Sequence, residues 1–342
     1  MPWAPGKSRI DSRRNRSVHC RCNQVALTIY QANFGLAMNS TPLPPTCDSD
    51  EMKTLRWRIG DATVFRIGEL DATAALQGLI PKFDLADVAR AGWLIPAFVD
   101  ETGRLRGSVQ VFVIMIADKV IIVGPGVGNH KMRSAVPGWD NLDTDFLEQL
   151  QAAGVTPGAV DYVVNTHLHF DHIGWHTQLI DGAWQPTFPA ARCVMSAGEF
   201  RYWQARPEKE IADQHAGFAD SVVPVYEAGL VDLVADDHVV TDGVRLAPSP
   251  GHTPHHVSVI VESRGQSAVL SGDAMHHPCQ IAYPDWASAS DFDPDQAQAS
   301  RSALLERCAE SGALLIGAHF ADPVIGRVLR GGLGFRLAAV DE

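Results

Sequence analysis

The chain has 342 residues, 46% of them hydrophobic, enough to bury a sizeable core in one large α/β domain or two smaller ones. A net charge of −12 argues against nucleic acid or an anionic membrane as a general partner, because both are held through clustered Lys and Arg, whereas a small neutral substrate remains compatible. No apolar run approaches the roughly 20 residues needed to span a bilayer, and the N-terminus lacks the apolar core of a secretory signal, so an intracellular, cytoplasmic protein is expected.

Residues 1–51 differ in kind from the rest. They carry six Lys or Arg against four acidic residues, leaving 22 against 36 in the remainder, and they contain Thr41-Pro42-Leu43-Pro44-Pro45. They read as a poorly ordered extension. Their Arg and Ser content between Ser8 and Ser17 resembles an organellar transit peptide; a start-site artefact, with the working protein beginning near Met52, is the other reading. The folded domain is expected over 52–342. The six cysteines form neither a disulfide framework nor a CxxC metal site, and Cys193 and Cys308 are expected as buried free thiols.

From Asp61 the pattern becomes regular. Thr63 to Ile67 reads as a strand and Gly78 to Gly92 as a mixed segment. Val109 to Ile116 and Val120 to Val123 are β-branched and apolar enough for central strands, joined as a hairpin through Ala117-Asp118-Lys119. The Gly124-Pro125-Gly126-Val127-Gly128 run that follows lacks the spacing of a phosphate loop and reads as a strand-exit turn. Leu142, Phe146, Leu147 and Leu150 recur at helical spacing up to Gly154, and Thr156-Pro157 reads as a cap with proline in the first turn. The chain then enters the strand Tyr162 to Asn165.

That strand delivers Thr166-His167-Leu168-His169-Phe170-Asp171-His172, three imidazoles and a carboxylate within six residues. Such density suits zinc and similar divalent ions. In an extended segment His167, His169 and Asp171 alternate onto one side, and His172 needs a bend to join them or to split away. Arg192 to Met195 is another strand, Ser196 to Glu199 has capping-box spacing for a helix through Trp203, and 204–225 is polar and irregular. Val244 to Leu246 leads into Gly251-His252-Thr253-Pro254-His255-His256. A hairpin of Val257 to Glu262 and Ala268 to Leu270 ends in Gly272-Asp273, and Asp293-Pro294 caps a helix closed by Gly312. The last strand, Leu314 to Ile316, ends at Gly317-Ala318-His319. Each of these strand ends presents one candidate ligand: His252, Asp273 and His319.

Those motifs, in that order and each after an apolar strand, carry a resemblance: the chain from about 60 to 335 resembles the metallo-β-lactamase superfamily. Gly272 to His277 and Gly317 to Phe320 look most similar to the branch containing methyl parathion hydrolase and related lactonases. The resemblance implies an α/β fold, a four-layer αββα sandwich, with a two-metal site at the edge where the strands end. Carried over by position, it puts His167, His169 and His252 on one ion, Asp171, His172 and His319 on the other, and Asp273 between them. It implies two divalent ions, zinc by ligand type, and attack by a hydroxide that bridges them, with Asp171 or Asp273 passing a proton to the leaving group. The expected function is hydrolysis of small neutral esters, lactones or organophosphate-like esters, with a homodimer left open. A thioesterase of the glyoxalase II kind and a catalytically weakened metal-binding domain are the alternatives.

Around these motifs, Trp175, His276, Trp286 and Phe320 are expected to wall or touch the substrate pocket, with His255, His256 and His277 as further candidates for contact with substrate or with a ligand. One departure stands out. After the strand ending at Val123 the superfamily usually places an aspartate, in an Asp-Thr-Gly turn, that orients metal ligands from behind; this chain has Gly124-Pro125-Gly126.

Overall fold

Side-chain alternation along the strands sets the architecture. In the computed structural model, which describes residues 55–136, 138–206 and 212–340, Val111 and Val113 face one hydrophobic core while Phe112 and Ile114 face another. A strand buried on both faces belongs inside a layered fold. The expected extension over 1–51 lies outside the described residues.

In chain order the first half supplies β1 (Arg56–Ile59), β2 (Ala62–Asp71), β3 (Ser108–Ile116), β4 (Lys119–Val123), β5 (Tyr162–Val164), β6 (Thr177–Ile180), β7 (Ala183–Pro186), β8 (Arg192–Ser196) and β9 (Val231–Val234). The second half supplies β10 (Val239–Thr241), β11 (Val244–Pro248), β12 (Val257–Ser263), β13 (Gln266–Leu270), β14 (Leu314–Ile316), β15 (Ile325–Gly331) and β16 (Gly334–Ala339). They form two seven-stranded sheets, ordered β1-β2-β3-β4-β5-β8-β9 and β10 to β16 in sequence, with β6 and β7 as a separate hairpin. The expected β3–β4 and β12–β13 hairpins are antiparallel pairs, Phe112 opposite Val123 and Val259 opposite Leu270.

Parallel pairing needs crossovers; helices supply three of the four, and the β5–β8 crossover carries the β6–β7 hairpin instead. Helix α1 (Phe146–Ala152) lies between β4 and β5, α2 (Ala197–Gln204) between β8 and β9, and α3 (Pro294–Ser311) between β13 and β14. Phe146, Leu150, Phe200 and Trp203 of the first two pack on Phe65, Val111, Val113, Ile122 and Val163, the outer face of the first sheet. Phe112, Ile114, Ile121 and Val123 share a core with Leu246, Val259, Leu270 and Leu315 of the second sheet, and that core also takes Leu305 and Cys308 of α3. Helix, sheet, sheet, helix is the αββα order.

Local expectations meet two corrections. Segment 204–225 is not irregular: where described it forms helical turns over Ala212–Gly217, Phe218–Val222 and Val223–Glu227, anchored by buried Phe218, Val222 and Val225. Thr156 makes no side-chain cap; Pro157–Ala159 is a single tight turn closed by backbone. Elsewhere the caps form as spaced. Ser196 Oγ accepts from the Gly198 and Glu199 amides, and Asp293 accepts from the Gln296 amide. Gly312 takes the left-handed conformation that ends α3, at φ 72°. No described helix is long and apolar enough to cross a membrane.

Candidate metal centre

Four strand ends open on the same edge of the sandwich. β5 runs into His167 to His172, β11 into the His252 loop, β13 into Asp273, and β14 into His319. Backbone hydrogen bonds stitch the two sheets together at this edge: the Val257 amide donates to Thr166 O at 2.9 Å, and the Ser108 amide to His319 O at 3.1 Å. The bend that His172 needs is a single tight turn over Phe170–His172, which leaves the His172 ring centroid 4.4 Å from that of His167.

The side chains fall into two groups. His167, His169, His252 and Asp273 offer ligand atoms within 4.8 Å of one another, and Asp171, His172 and His319 do the same. His169 Nδ1 lies 3.1 Å from His167 Nε2 and 2.9 Å from His252 Nε2, while His172 Nε2 lies 3.1 Å from His319 Nε2. Asp273 stands between the groups. Its Oδ2 is 3.6 Å from His167 Nε2 and 3.4 Å from His252 Nε2, and its Oδ1 is 3.2 Å from Nε2 of both His172 and His319. Asp171 Oδ2 sits 3.6 Å from His172 Nε2 and 3.5 Å from His319 Nε2.

The electrostatics call for positive charge at this point. Burial drives His167, His169 and His252 below the ordinary imidazole range, His169 to about 4. His172 and His319 go the other way: burial opposes their charge, but Asp273 and Asp171 outweigh it, and His319 is pushed up to about 9. Burial likewise opposes the charge on Asp273, yet the surrounding imidazoles, His172 and His319 foremost, hold it well below the carboxylate range. Its Oδ1 is buried with no partner in hydrogen-bonding geometry despite the two imidazoles 3.2 Å away. A buried carboxylate oxygen ringed by imidazole nitrogens and left unbonded is the donor set of a divalent cation, so these residues fit one.

A family model described as the metallo-beta-lactamase superfamily matches residues 104–319. The chain belongs to the metallo-beta-lactamase superfamily. Within it, N-acyl homoserine lactonase AiiA of Bacillus thuringiensis subsp. kurstaki is 26% identical over 173 residues, 50% of this chain and 60% of that one. N-acyl homoserine lactonase AttM of Rhizobium radiobacter is 29% identical over 141 residues, 39% of this chain and 48% of that one. The matched stretch thus spans less than two thirds of these relatives. Two crystal structures share the fold. The hydrolase AbOPH superposes with a TM-score of 0.70 at 21% identity, covering 84% of this chain and 98% of that one. AidC, a dizinc quorum-quenching lactonase, superposes with a TM-score of 0.68 at 18% identity, again over 84% and 98%.

Inside this metallo-beta-lactamase domain, His276 is the candidate pocket residue that reaches the cluster, its Nε2 3.2 Å from Asp273 Oδ2 and its Nδ1 buried without a partner. The three aromatic candidates lie in the cores. Trp175 stacks on Phe146 with ring centroids 4.8 Å apart, and its indole N–H donates to Glu69. Trp286 stacks on Tyr283, and Phe320 meets Phe98 edge to face. The remaining histidines have supporting places: His256 Nε2 accepts the Asp273 amide at 3.0 Å, His277 Nε2 donates to Phe98 O, and His255 pairs with Asp236 nearer the surface.

Sequence reasoning missed three buried carboxylates. Glu69 Oε2 accepts the Val127 amide and Oε1 the Gly128 amide, which closes the glycine-rich turn. Glu199, beyond its place in the capping-box spacing, accepts from the Leu168 amide, Trp203 Nε1 and Thr253 Oγ1, tying the two histidine loops together. Burial raises the pKa of both glutamates, against the hydrogen bonds they accept. Asp291 pairs with His252 Nδ1 at 3.1 Å. None lies in a metal motif, so no local signal marks them. The departure at Gly124 also acquires a location: a Cβ there would lie 3.3 Å from His172 Nδ1, beside a cavity lined by Gly124, Thr166, His172 and Gly272 that has room for about one water.

Proposed function

We propose that this protein is a metal-dependent hydrolase of small neutral lactones and esters, organophosphate-like esters included, with 52–342 as its hydrolase domain. The observation that carries the reading is Asp273 set between two imidazole-rich groups with Oδ1 buried and unbonded. His167, His169 and His252 would hold one divalent ion, Asp171, His172 and His319 a second, and Asp273 would reach both; zinc suits the imidazole and carboxylate donors. Such a pair of ions supplies Lewis acidity for a carbonyl or phosphoryl oxygen and makes water a competent nucleophile near neutral pH.

The chain's own groups do the rest. Asp171, at 14% side-chain exposure against 4% for Asp273, is the more open of the two site carboxylates and would take the proton released by the attacking water and pass it to the departing oxygen. His276, whose Nε2 lies 3.2 Å from Asp273 Oδ2, is the candidate pocket side chain set directly beside the cluster. The lactonase names of AiiA, AttM and AidC support the choice of lactones as first substrates.

The test is to purify the chain with zinc, count bound metal, and assay homoserine lactones and aryl esters with and without a chelator. About two ions per chain and chelator-sensitive hydrolysis are expected. Less than one ion, or hydrolysis that survives chelation, overturns the reading.

A further inference from the structure

His252 is the site imidazole whose outward nitrogen meets a carboxylate. Its ring spans two environments. Nε2 points into the cluster, 2.9 Å from His169 Nδ1 and 3.4 Å from Asp273 Oδ2, while Nδ1 points away, 3.1 Å from Asp291 Oδ1. Asp291 is fixed in turn: its Oδ2 accepts the Ser288 amide at 2.9 Å, and its own amide donates to Ser288 O. The two segments are also zipped together by backbone. The Phe292 amide donates to His252 O at 3.0 Å and the Asp293 amide to Gly251 O at 2.8 Å, so ring and carboxylate cannot drift apart independently. Both side chains are buried, at 1% and 0% exposure, where no solvent competes for the contact.

We propose that Asp291 is a positioning residue for His252. It holds the proton on Nδ1 and thereby keeps the Nε2 lone pair aimed at the metal group of His167, His169 and His252. This rests on the proposed metal-binding reading of that group. The chemistry is that of a neutral imidazole: one nitrogen must carry the proton for the other to be a ligand, and a hydrogen bond from the first sets which is which. Asp291 could alternatively be a ligand itself, since His252, His276 and Asp291 also offer atoms within 4.8 Å. That arrangement would require His252 to give up Nδ1, and the placement of Nε2 against His169 and Asp273 opposes it.

The experiment uses the full chain loaded with zinc. Asp291→Asn keeps the shape but gives one edge of the carboxylate an N–H, which cannot accept from both His252 and Ser288. Expected is a 10- to 100-fold loss of affinity for one of the two ions in chelator competition, with the other ion held as in the wild type. Asp293→Ala serves as the control two residues away: it removes the α3 cap and lowers the melting temperature while leaving both metal affinities unchanged. Wild-type metal binding with Asp291→Asn indistinguishable from it overturns the inference alone; a wild type that binds no metal overturns the underlying reading as well. Should Asp291→Asn fail to fold, imidazole NMR of the zinc-loaded wild type decides. His252 protonated on Nδ1 with slow exchange supports the assignment, and His252 protonated on Nε2 overturns it.

Discussion

At Gly124 a single missing side chain changes what stands behind a candidate ligand. The residue has φ 60°, and a Cβ on it would lie 3.3 Å from His172 Nδ1. Aspartate tolerates that backbone region better than most residues because its short polar side chain bonds locally. Gly124→Asp therefore introduces a carboxylate where His172 has its outward nitrogen, and metal retention under chelator competition is expected to rise about 10-fold. An unchanged affinity would show that His172 is oriented adequately without it. Glu69 does not fill this place. It lies close enough that a Cβ on Gly126 would meet its Oε2, but it is spent on the Val127 and Gly128 amides and the Trp175 indole.

Strands and helices carry the next level of argument. The alternation that sends Val194 to one core and Cys193 to the other buries the Cys193 thiol in β8, and α3 buries Cys308. Burial pushes both thiols up to about 12. The folded state then keeps protons that an unfolded thiol releases above its ordinary value near 9. The stabilisation is whole below that pH and is lost as pH rises toward 12. Denaturant unfolding should show a loss of about 2 kcal/mol per thiol between about pH 8 and 10.5, and Cys193→Ala should remove its share of the slope. An identical slope in the variant would mean that the thiol is not protected. On the same grounds Cys193 and Cys308 should resist thiol reagents near pH 8 until the protein unfolds.

Across the whole molecule, the site is a seam. Its donors come from loops after β5 and β11 and from the ends of β13 and β14, two sheets that meet at this edge through backbone bonds, side-chain bonds such as Gln110 to Gly317 O, and the buried imidazoles. An ion gripping both sides binds the folded chain and has far weaker purchase on the unfolded one. Zinc should therefore raise the melting temperature reversibly and chelator lower it, by about 4 kcal/mol of stability at free metal near 1,000 times its dissociation constant. A melting temperature indifferent to metal would contradict a shared site between the sheets.

How much of this was legible beforehand follows from the range of each interaction. Strand alternation, the caps at Ser196 and Asp293 and the Gly312 stop are local, so the sequence by itself determined those strands and helix ends and the histidine and aspartate motifs that follow the strands, while the αββα order and the division of seven candidate donors came from the family resemblance those motifs carry. The aromatic candidates Trp175, Trp286 and Phe320 lie near metal motifs in sequence, but their large apolar area took them into the cores. Segment 204–225 looked irregular because its few apolar residues show their purpose only against α2 and the first sheet. Tertiary structure alone decided the support. Asp291 lies 39 residues from His252, and Glu199 lies 54 from Thr253. A hydrogen bond needs its two atoms within about 3 Å, and nothing in the spacing of residues so far apart dictates that meeting; the packing of α2 and of the loop before α3 against the histidine loops does.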